Sequence, residues 1–381
     1  MVLLPWRWVK PVSICPHLVP GRCPLRIKSR LWHCLIRLLL VTVLLLVLAV
    51  VAAFTAGPLE EWFLRPGVLP PHDWEGSGAG REGYTGFNWR GRDSAYQLTN
   101  PEVCAGDAPF LVGLVMSKPA HWDSRRAIRE SWGSVQEVAG HTVRTLFALG
   151  HPSSPHEQEL IDQEAETYRD VVQGRFQDSY LNLTRKTLMI LHWFTSYCPQ
   201  SQFLLKVDDD VFLNYHRLVE LLLGPGLRLS QDLYLGRVHR KVRAIRDPSS
   251  LFYVPESVFQ ADTYPDYCSG TSYVLSVSAA RKIYRAALSL PLLPIEDVFV
   301  GISAQRAGVA PTHTSRMSGG LRFHFRPCCY RAIITSHHVS AQELGTMWTL
   351  VNNGQPCSPF ARVSALLVCN LLNLRDLLAA S

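Results

Sequence analysis

The chain has 381 residues, 47% apolar and 18% charged, with a formal net charge of +7. That length buries a sizeable core as one large domain or two ordinary ones, and the composition is globular with an apolar surplus. All of the net charge lies in Arg7, Lys10, Arg22, Arg26, Lys28, Arg30 and Arg37, so residues 38–381 are formally neutral and carry no electrostatic footprint for nucleic acid.

Leu38 to Ala56 is 19 residues without a charge, close to the ~20 that cross a hydrocarbon core. A cleaved signal peptide is the alternative, but its apolar region is shorter, about 7 to 15 residues, and nearer the start. The basic flank on the N-terminal side orients such a span with its tail in the cytosol. The expected organisation is a cytoplasmic tail (1–37), a transmembrane signal-anchor (38–56), a stem (57–107), a lumenal domain (108–357) and a tail of no assigned role (358–381). The stem reading rests on Gly, Pro, Trp and Arg without periodicity.

Seven of the ten cysteines follow the span: Cys104, Cys198, Cys268, Cys328, Cys329, Cys357 and Cys369. In an oxidising lumen they are disulfide candidates, and the odd count leaves at least one over. Asn182-Leu183-Thr184 is an N-glycosylation acceptor with meaning in the same compartment.

Along the domain, Pro109–Ser117 is a continuous apolar run of strand length. HWDSRRAIRESWG then predicts a helix, with Asp123 or Ser124 suited to its N-cap and Arg125, Ile128, Arg129 and Trp132 at helical spacing. Thr145–Gly150 reads as a second buried strand, HEQELIDQEAETYRDV as an acidic surface helix, and Leu183–Tyr197 as a third helix. FLLKVDDDVFLN, residues 203–214, is a buried strand that ends in Asp208, Asp209 and Asp210. Strands alternating with helices predict a mostly parallel, twisted α/β sheet flanked by helices, whose ligands gather at the carboxyl ends of the strands.

Three adjacent carboxylates are costly beside an apolar strand unless something positive accompanies them. Alternation puts Asp208 and Asp210 on one side, half of a site for Mg²⁺ or Mn²⁺. An EF-hand is excluded, because Phe212 and Leu213 stand at its fifth and sixth positions. The bland alternative is a polar strand exit that caps the next helix. Tyr264–Ser276 (YPDYCSGTSYVLS) joins aromatics to a small-residue turn of the kind that lets a ligand approach backbone. In PIEDVFVG, Glu296 and Asp297 either begin a helix, where acids suit the dipole, or supply a general base.

RRAIRESWG, TYRDVVQGRFQDSYLNLTRKT, KVDDDVFLN, YPDYCSGTSYVLS, IEDVFVG and ITSHHVSAQELGTMW occur in the order found in the beta-1,3-galactosyltransferase and N-acetylglucosaminyltransferase family (glycosyltransferase family 31). The chain resembles that family from roughly Phe110 to Cys357, and is most similar to its galactosyltransferase branch. The resemblance implies a GT-A-type α/β domain in the Golgi membrane that uses Mn²⁺ and a UDP-sugar donor, UDP-galactose or UDP-GlcNAc, with a glycan acceptor. It implies Asp210 as metal ligand, with His337 or the adjacent His338 as a second and Asp208 beside them. Asp208 or Asp209 would face ribose and sugar, and the ion would be the positive charge that the aspartates await. Arg125, Arg129, Asp178 and Lys186 match positions near the nucleotide, with an ion pair to the domain's own acids as the alternative for the two arginines. Asp297 matches the base of an inverting transfer, with Glu296 beside it, while Tyr264, Asp266, Tyr267 and Gly270 would shape the sugar or acceptor pocket.

Ser272 departs from the family pattern, where a second glycine is usual, and its side chain is expected to crowd the donor sugar or shift its specificity. Arg175 and Arg185 depart at surface positions. The rival readings are transfer of N-acetylglucosamine and a non-catalytic lumenal binding protein of the same fold, which the Ser272 departure favours. A homo-oligomer is an open assembly for either.

Overall fold

The computed structural model describes residues 25–55, 95–224, 227, 232–320, 322–358, 361 and 365, in two compact units, Met1–Ala53 and Phe54–Ser381. All but the last two residues of α1, Leu25–Thr55, a 31-residue helix, lie in the first unit. Between Leu38 and Leu48 its leucines and valines face solvent. Among the described residues no helix is long and apolar enough to cross a membrane. Of the expected span, Ala56 and the side chains of 50–55 lie outside that description, as do residues 1–24 of the tail and most of the stem.

In the second unit, strands and helices alternate through β1 (Tyr96–Leu98), β2 (Leu111–Met116), α2 (Trp122–Arg129), β3 (Glu137–Val138), β4 (His141–His151), α3 (Pro155–Tyr168), β5 (Val171–Gln177), α4 (Leu183–Tyr197), β6 (Phe203–Asp208), β7 (Phe212–Leu213) and α5 (Tyr215–Leu223). Then come β8 (Tyr234–His239), β9 (Tyr267–Ser276), α6 (Val277–Ala287), α7 (Glu296–Arg306), β10 (Pro311–His313), α8 (Pro327–Tyr330), β11 (Thr335–Ser336) and α9 (Ala341–Asn353). The main sheet has the order β1-β5-β4-β2-β6-β9-β8-β10, with β3 beside β4.

β5, β4, β2 and β6 are parallel, as the alternation predicts, but β9 enters antiparallel between β6 and β8, so the sheet is mixed. The expected turn at Tyr264–Ser276 is therefore corrected: from Tyr267 onward it is a ten-residue strand. Its small residues sit inside the sheet, where Gly236 of β8 passes too close to Cys268 for any Cβ.

β2 shows why the central strands read as unbroken apolar runs. Val112, Leu114 and Met116 join a core with side chains of α4, α6 and α7, whereas Leu111 and Val115 join a second core with α2, α5 and α9. Helices cover both faces, so both residues of each alternating pair are buried. Cys104–Cys198 and Cys328–Cys357 are disulfides, Cys329 is disulfide-bonded as well, and among the described residues buried Cys268 is a free thiol.

α2 begins one or two residues before the expected caps, at Trp122 with His121 as N-cap. Its two arginines clamp neighbouring elements. Arg125, 1% exposed, makes a two-pronged bond to Glu164 of α3 (2.8 and 2.6 Å) and donates to the Lys118 and Pro119 carbonyls. Arg129 forks onto Asp170 (2.8 Å twice), reaches Glu164 at 2.7 Å, and lies 4.0 Å from the Tyr168 ring centre. Burial alone would raise the Glu164 carboxyl, but Arg125 and then Arg129 hold it below its ordinary range.

Removing one member of a buried ion pair leaves the other uncompensated, at a cost of about 3–5 kcal/mol. Arg125→Ala is expected to destabilise the chain by that order in thermal or denaturant unfolding. Arg125→Lys keeps the charge but not the fork, and should fall between the two.

Candidate active site

The aspartates stand where β6 leaves the sheet, and they part company there. Met116 of β2 lies opposite Asp208 in the parallel register, so the loops after both strands meet. Asp208 closes the strand; Asp209 and Asp210 are in a turn, and the expected strict alternation stops before them.

Each carboxylate has its own partner. Asp208 Oδ1 accepts from Lys206 Nζ at 2.7 Å. Asp209 Oδ2 accepts from Ser117 Oγ at 2.7 Å and lies 2.8 Å from His121 Nδ1. Asp210 Oδ2 lies 3.2 Å from His337 Nε2 and 3.8 Å from His338 Nδ1. Burial would raise Asp210, but the His337 contact and the neighbouring His338 hold it below the ordinary carboxylate range. Burial pushes Asp208 up to about 6 against the pull of Lys206, with Asp210 and Glu296 adding to it.

The histidines arrive through a small second sheet. β11 pairs antiparallel with β7, matching Ser336 to Phe212 and Thr335 to Leu213, and the Val339 N–H donates to the Asp210 carbonyl at 2.8 Å. Successive side chains in an extended strand point apart. Here His338 takes a left-handed backbone (φ 57°), and its ring lies 3.9 Å from that of His337. A non-glycine residue held there costs about 1–3 kcal/mol and marks a constraint. α9 starts at once behind it, with a Ser340–Glu343 capping box.

Asp210, His337 and His338 offer one carboxylate oxygen and two imidazole nitrogens, all within 4.8 Å of one another. His337 Nδ1 is buried without a hydrogen-bond partner. That donor set suits a divalent transition-metal ion. Asp208, also expected among the ligands, accepts from Lys206, and the cluster holds both of the histidines expected as alternatives.

Beside the aspartates lies the second acidic pair. Lys206, 2% exposed, also donates to the Gly270 carbonyl and lies 3.6 Å from Glu296 Oε2. Burial would lower its ammonium, but Asp208 and then Glu296 hold it well above the ordinary lysine range. Glu296 is buried and accepts from the Thr187 and Tyr273 hydroxyls at 2.9 and 2.8 Å. Asp297 is half-buried; its oxygens accept from the Gly270 N–H at 3.0 Å and the Val298 N–H at 2.9 Å. Burial first, then the Glu296 charge, pushes Asp297 up to about 6. A Cβ on Gly270 would lie 3.1 Å from Glu296 and 3.4 Å from Asp297, so glycine lets the strand meet both acids.

The remaining expected residues scatter. Arg125 and Arg129 are in the ion pairs already described. Asp178 and Lys186 form a buried pair at 2.7 Å, with Lys186 also on the Ser117 carbonyl at 2.5 Å; burial lowers the Lys186 ammonium against the attraction of Asp178. Tyr264 and Tyr267 are buried, and Asp266 faces Arg240 at 3.4 Å. Asn182 donates to the Gln177 carbonyl at 2.8 Å, and the hydroxyl of its sequon residue Thr184 is buried against the Leu293 carbonyl at 2.5 Å. Ser272 is fully buried with its hydroxyl 3.1 Å from Thr335. That contact ties β9 to β11, directly ahead of the histidines. Sequence reasoning missed Lys206, His121 and Ser117. Lys206 alone had a signal, since residues two apart share a strand face.

Residues 123–315 match the family model described as Galactosyltransferase. Beta-1,3-galactosyltransferase 4 of Mus musculus is 41% identical over 296 residues, covering 69% of this chain and 79% of the relative. Beta-1,3-galactosyltransferase 9 of Homo sapiens is 38% identical over 281 residues, covering 74% and 76%. Beta-1,3-galactosyltransferase 1 of Mus musculus is 34% identical over 253 residues, covering 66% and 77%. With its acids, histidines and buried lysine all inside or just beyond the matched stretch, the chain belongs to the galactosyltransferase family.

Proposed function

We propose that the chain is an inverting β-1,3-galactosyltransferase of GT-A type, moving galactose from UDP-galactose to a sugar hydroxyl of a glycoprotein or glycolipid glycan. The observation that supports this reading is that Lys206 pairs with Asp208 and Glu296, two acids whose chain neighbours are Asp210 of the Asp210–His337–His338 cluster and half-buried Asp297. The names of the relatives supply the linkage and the sugar.

Asp210, His337 and His338 would hold Mn²⁺ or a similar divalent ion. When bound, such an ion supplies a Lewis acid for the charge that develops on departing UDP. Asp297 takes the proton of the acceptor hydroxyl while that oxygen bonds to the anomeric carbon; the bond from that carbon to the diphosphate oxygen breaks, and its electron pair leaves with UDP. Inversion needs one such base. Glu296, engaged by Thr187, Tyr273 and Lys206, holds the start of α7 in place. Asp208 and Asp209 are the further candidates for donor contacts. We place the domain in the Golgi lumen, anchored by the uncharged run Leu38–Ala56 with its basic flank inside.

Incubating the purified chain with UDP-galactose or UDP-GlcNAc and a galactose- or N-acetylglucosamine-ended acceptor tests the reaction by UDP release. Galactose transfer is expected; preference for UDP-GlcNAc would reassign the donor, and donor binding without transfer would make the chain a binding protein.

Asp210→Ala and His337→Ala are each expected to abolish Mn²⁺-dependent donor binding, measured calorimetrically. Unchanged affinity in both would remove the cluster from the site.

Asp297→Asn should lower kcat by about 10²–10⁴ with donor affinity kept. Because the carboxyl is pushed up to about 6, it is protonated and idle below that pH and ionised above it. The rate should therefore rise with pH through about 6 and then level, in a profile the Asn variant lacks. A wild-type profile flat from pH 5 to 7 would take the base role from Asp297.

A further inference from the structure

The stretch after Cys357 has no role in the chemistry above, yet part of it is packed against the domain. Ala361 and Ala365 are helical, and Ala365 is 4% exposed. Its carbonyl oxygen lies 3.7 Å from Cys329 Sγ. Cys329 is itself 2% exposed, in α8, and it is disulfide-bonded.

The partner of Cys329 follows by elimination among ten cysteines. Cys104 pairs with Cys198, Cys328 with Cys357, and Cys268 is a free thiol. Cys15, Cys23, Cys34 and Cys369 remain. The first three precede the uncharged run Leu38–Ala56, on the side given above to the cytosol, where thiols stay reduced. Cys369 lies outside the described residues but only four positions beyond Ala365. Four residues are one helical turn, about 6 Å of rise, and span at most ~14 Å when fully extended. Bonded cysteines have Cα atoms roughly 4–7 Å apart, so the place of the Ala365 carbonyl leaves Cys369 within reach of Cys329.

We propose that Cys329 and Cys369 are joined by a disulfide, which makes the C-terminal tail a covalently held part of the domain. The two thiols pass two electrons and two protons to a disulfide of the lumen, carried by glutathione or a thiol–disulfide oxidoreductase. That disulfide is reduced to two thiols as the new S–S bond forms. The bond acts where the histidine loop begins. The Cys329 carbonyl accepts from the Ala332 and Ile333 N–H groups at 2.8 and 3.0 Å, closing the turn that runs into β11. Tyr330, next in the chain, donates its hydroxyl to the Phe323 carbonyl at 2.7 Å and lies 2.9 Å from Ser336 Oγ, one residue before His337. Cys328 is already tied to Cys357. Two neighbouring cysteines thus fasten α8 to two places, the segment after α9 and the tail beyond it.

Full-length chain made in the secretory pathway tests this, alkylated without reduction and digested with trypsin. Cys328 and Cys329 share the peptide 323–331, Cys357 lies in 332–362 and Cys369 in 363–375. The three are expected as one linked species that separates on reduction. Cys329→Ser and Cys369→Ser should each release 363–375, while 323–331 stays linked to 332–362. Wild-type chain that yields 363–375 with Cys369 alkylated, or joined to any other cysteine peptide, would overturn the assignment. Cys369→Ser should also lower the thermal midpoint by several degrees, and an unchanged midpoint would refute the tail's place in the fold. Neither readout depends on sugar transfer, so failure of the transferase reading leaves both outcomes as they stand.

Discussion

A buried ammonium holds this site together. Lys206 is almost fully enclosed, yet it sits within reach of Asp208, Glu296 and the Gly270 carbonyl. Those three groups belong to three elements: β6, the helix start of α7, and β9. An enclosed lysine without partners would shed its proton, and enclosed carboxylates without a cation would take one up. Asp208 and then Glu296 keep the enclosed ammonium charged. The antiparallel insertion of β9 serves this arrangement, because it brings Gly270 and the acids of α7 alongside the carboxyl end of β6.

The three aspartates then divide the space among them. Asp209 is turned toward the loop after β2, where Arg125 donates to the Lys118 and Pro119 carbonyls and Ser117 and His121 engage the carboxylate. Asp210 is turned toward the loop after β11. That loop is held by backbone pairing with β7 and by the side chains of Ser272, Thr271 and Ser318, which link β9 to Thr335 and to the His337 N–H. Arg125 thus fixes the loop that positions Asp209, while its fork to Glu164 and that of Arg129 to Asp170 hold α2 to the neighbouring elements.

Much of this was legible in the sequence. The apolar runs gave the central strands because both sheet faces are covered, and the third helix falls at Leu183–Tyr197 as its pattern predicts. Asp210 with His337 was reachable from motif order. Other features depend on contacts that no local pattern encodes. Tyr264–Ser276 looked like a turn because serine and glycine favour turns, but close packing between β8 and β9 needs those same small residues. Lys206 was overlooked because a lysine in an apolar run looks like an edge residue, and its burial is visible only once α7 folds over it.

The division of labour between Glu296 and Asp297 follows from one step along a helix. Adjacent residues are turned by about 100°, so where one acid points into the core the next points to its edge. Glu296 meets Thr187, Tyr273 and Lys206 inside. Asp297 accepts from the backbone N–H groups of Gly270 and Val298. Two opposed influences act on it there. Backbone donors favour the anion, while burial and the fixed charge of Glu296 favour the acid, and the second pair wins, setting the carboxyl at about 6. A base must be ionised before the reaction and still hold the proton afterwards, which a carboxyl of ordinary acidity does less well at neutral pH. Glu296 therefore contributes twice: it fixes the helix start through its hydrogen bonds, and its charge raises the proton affinity of its neighbour.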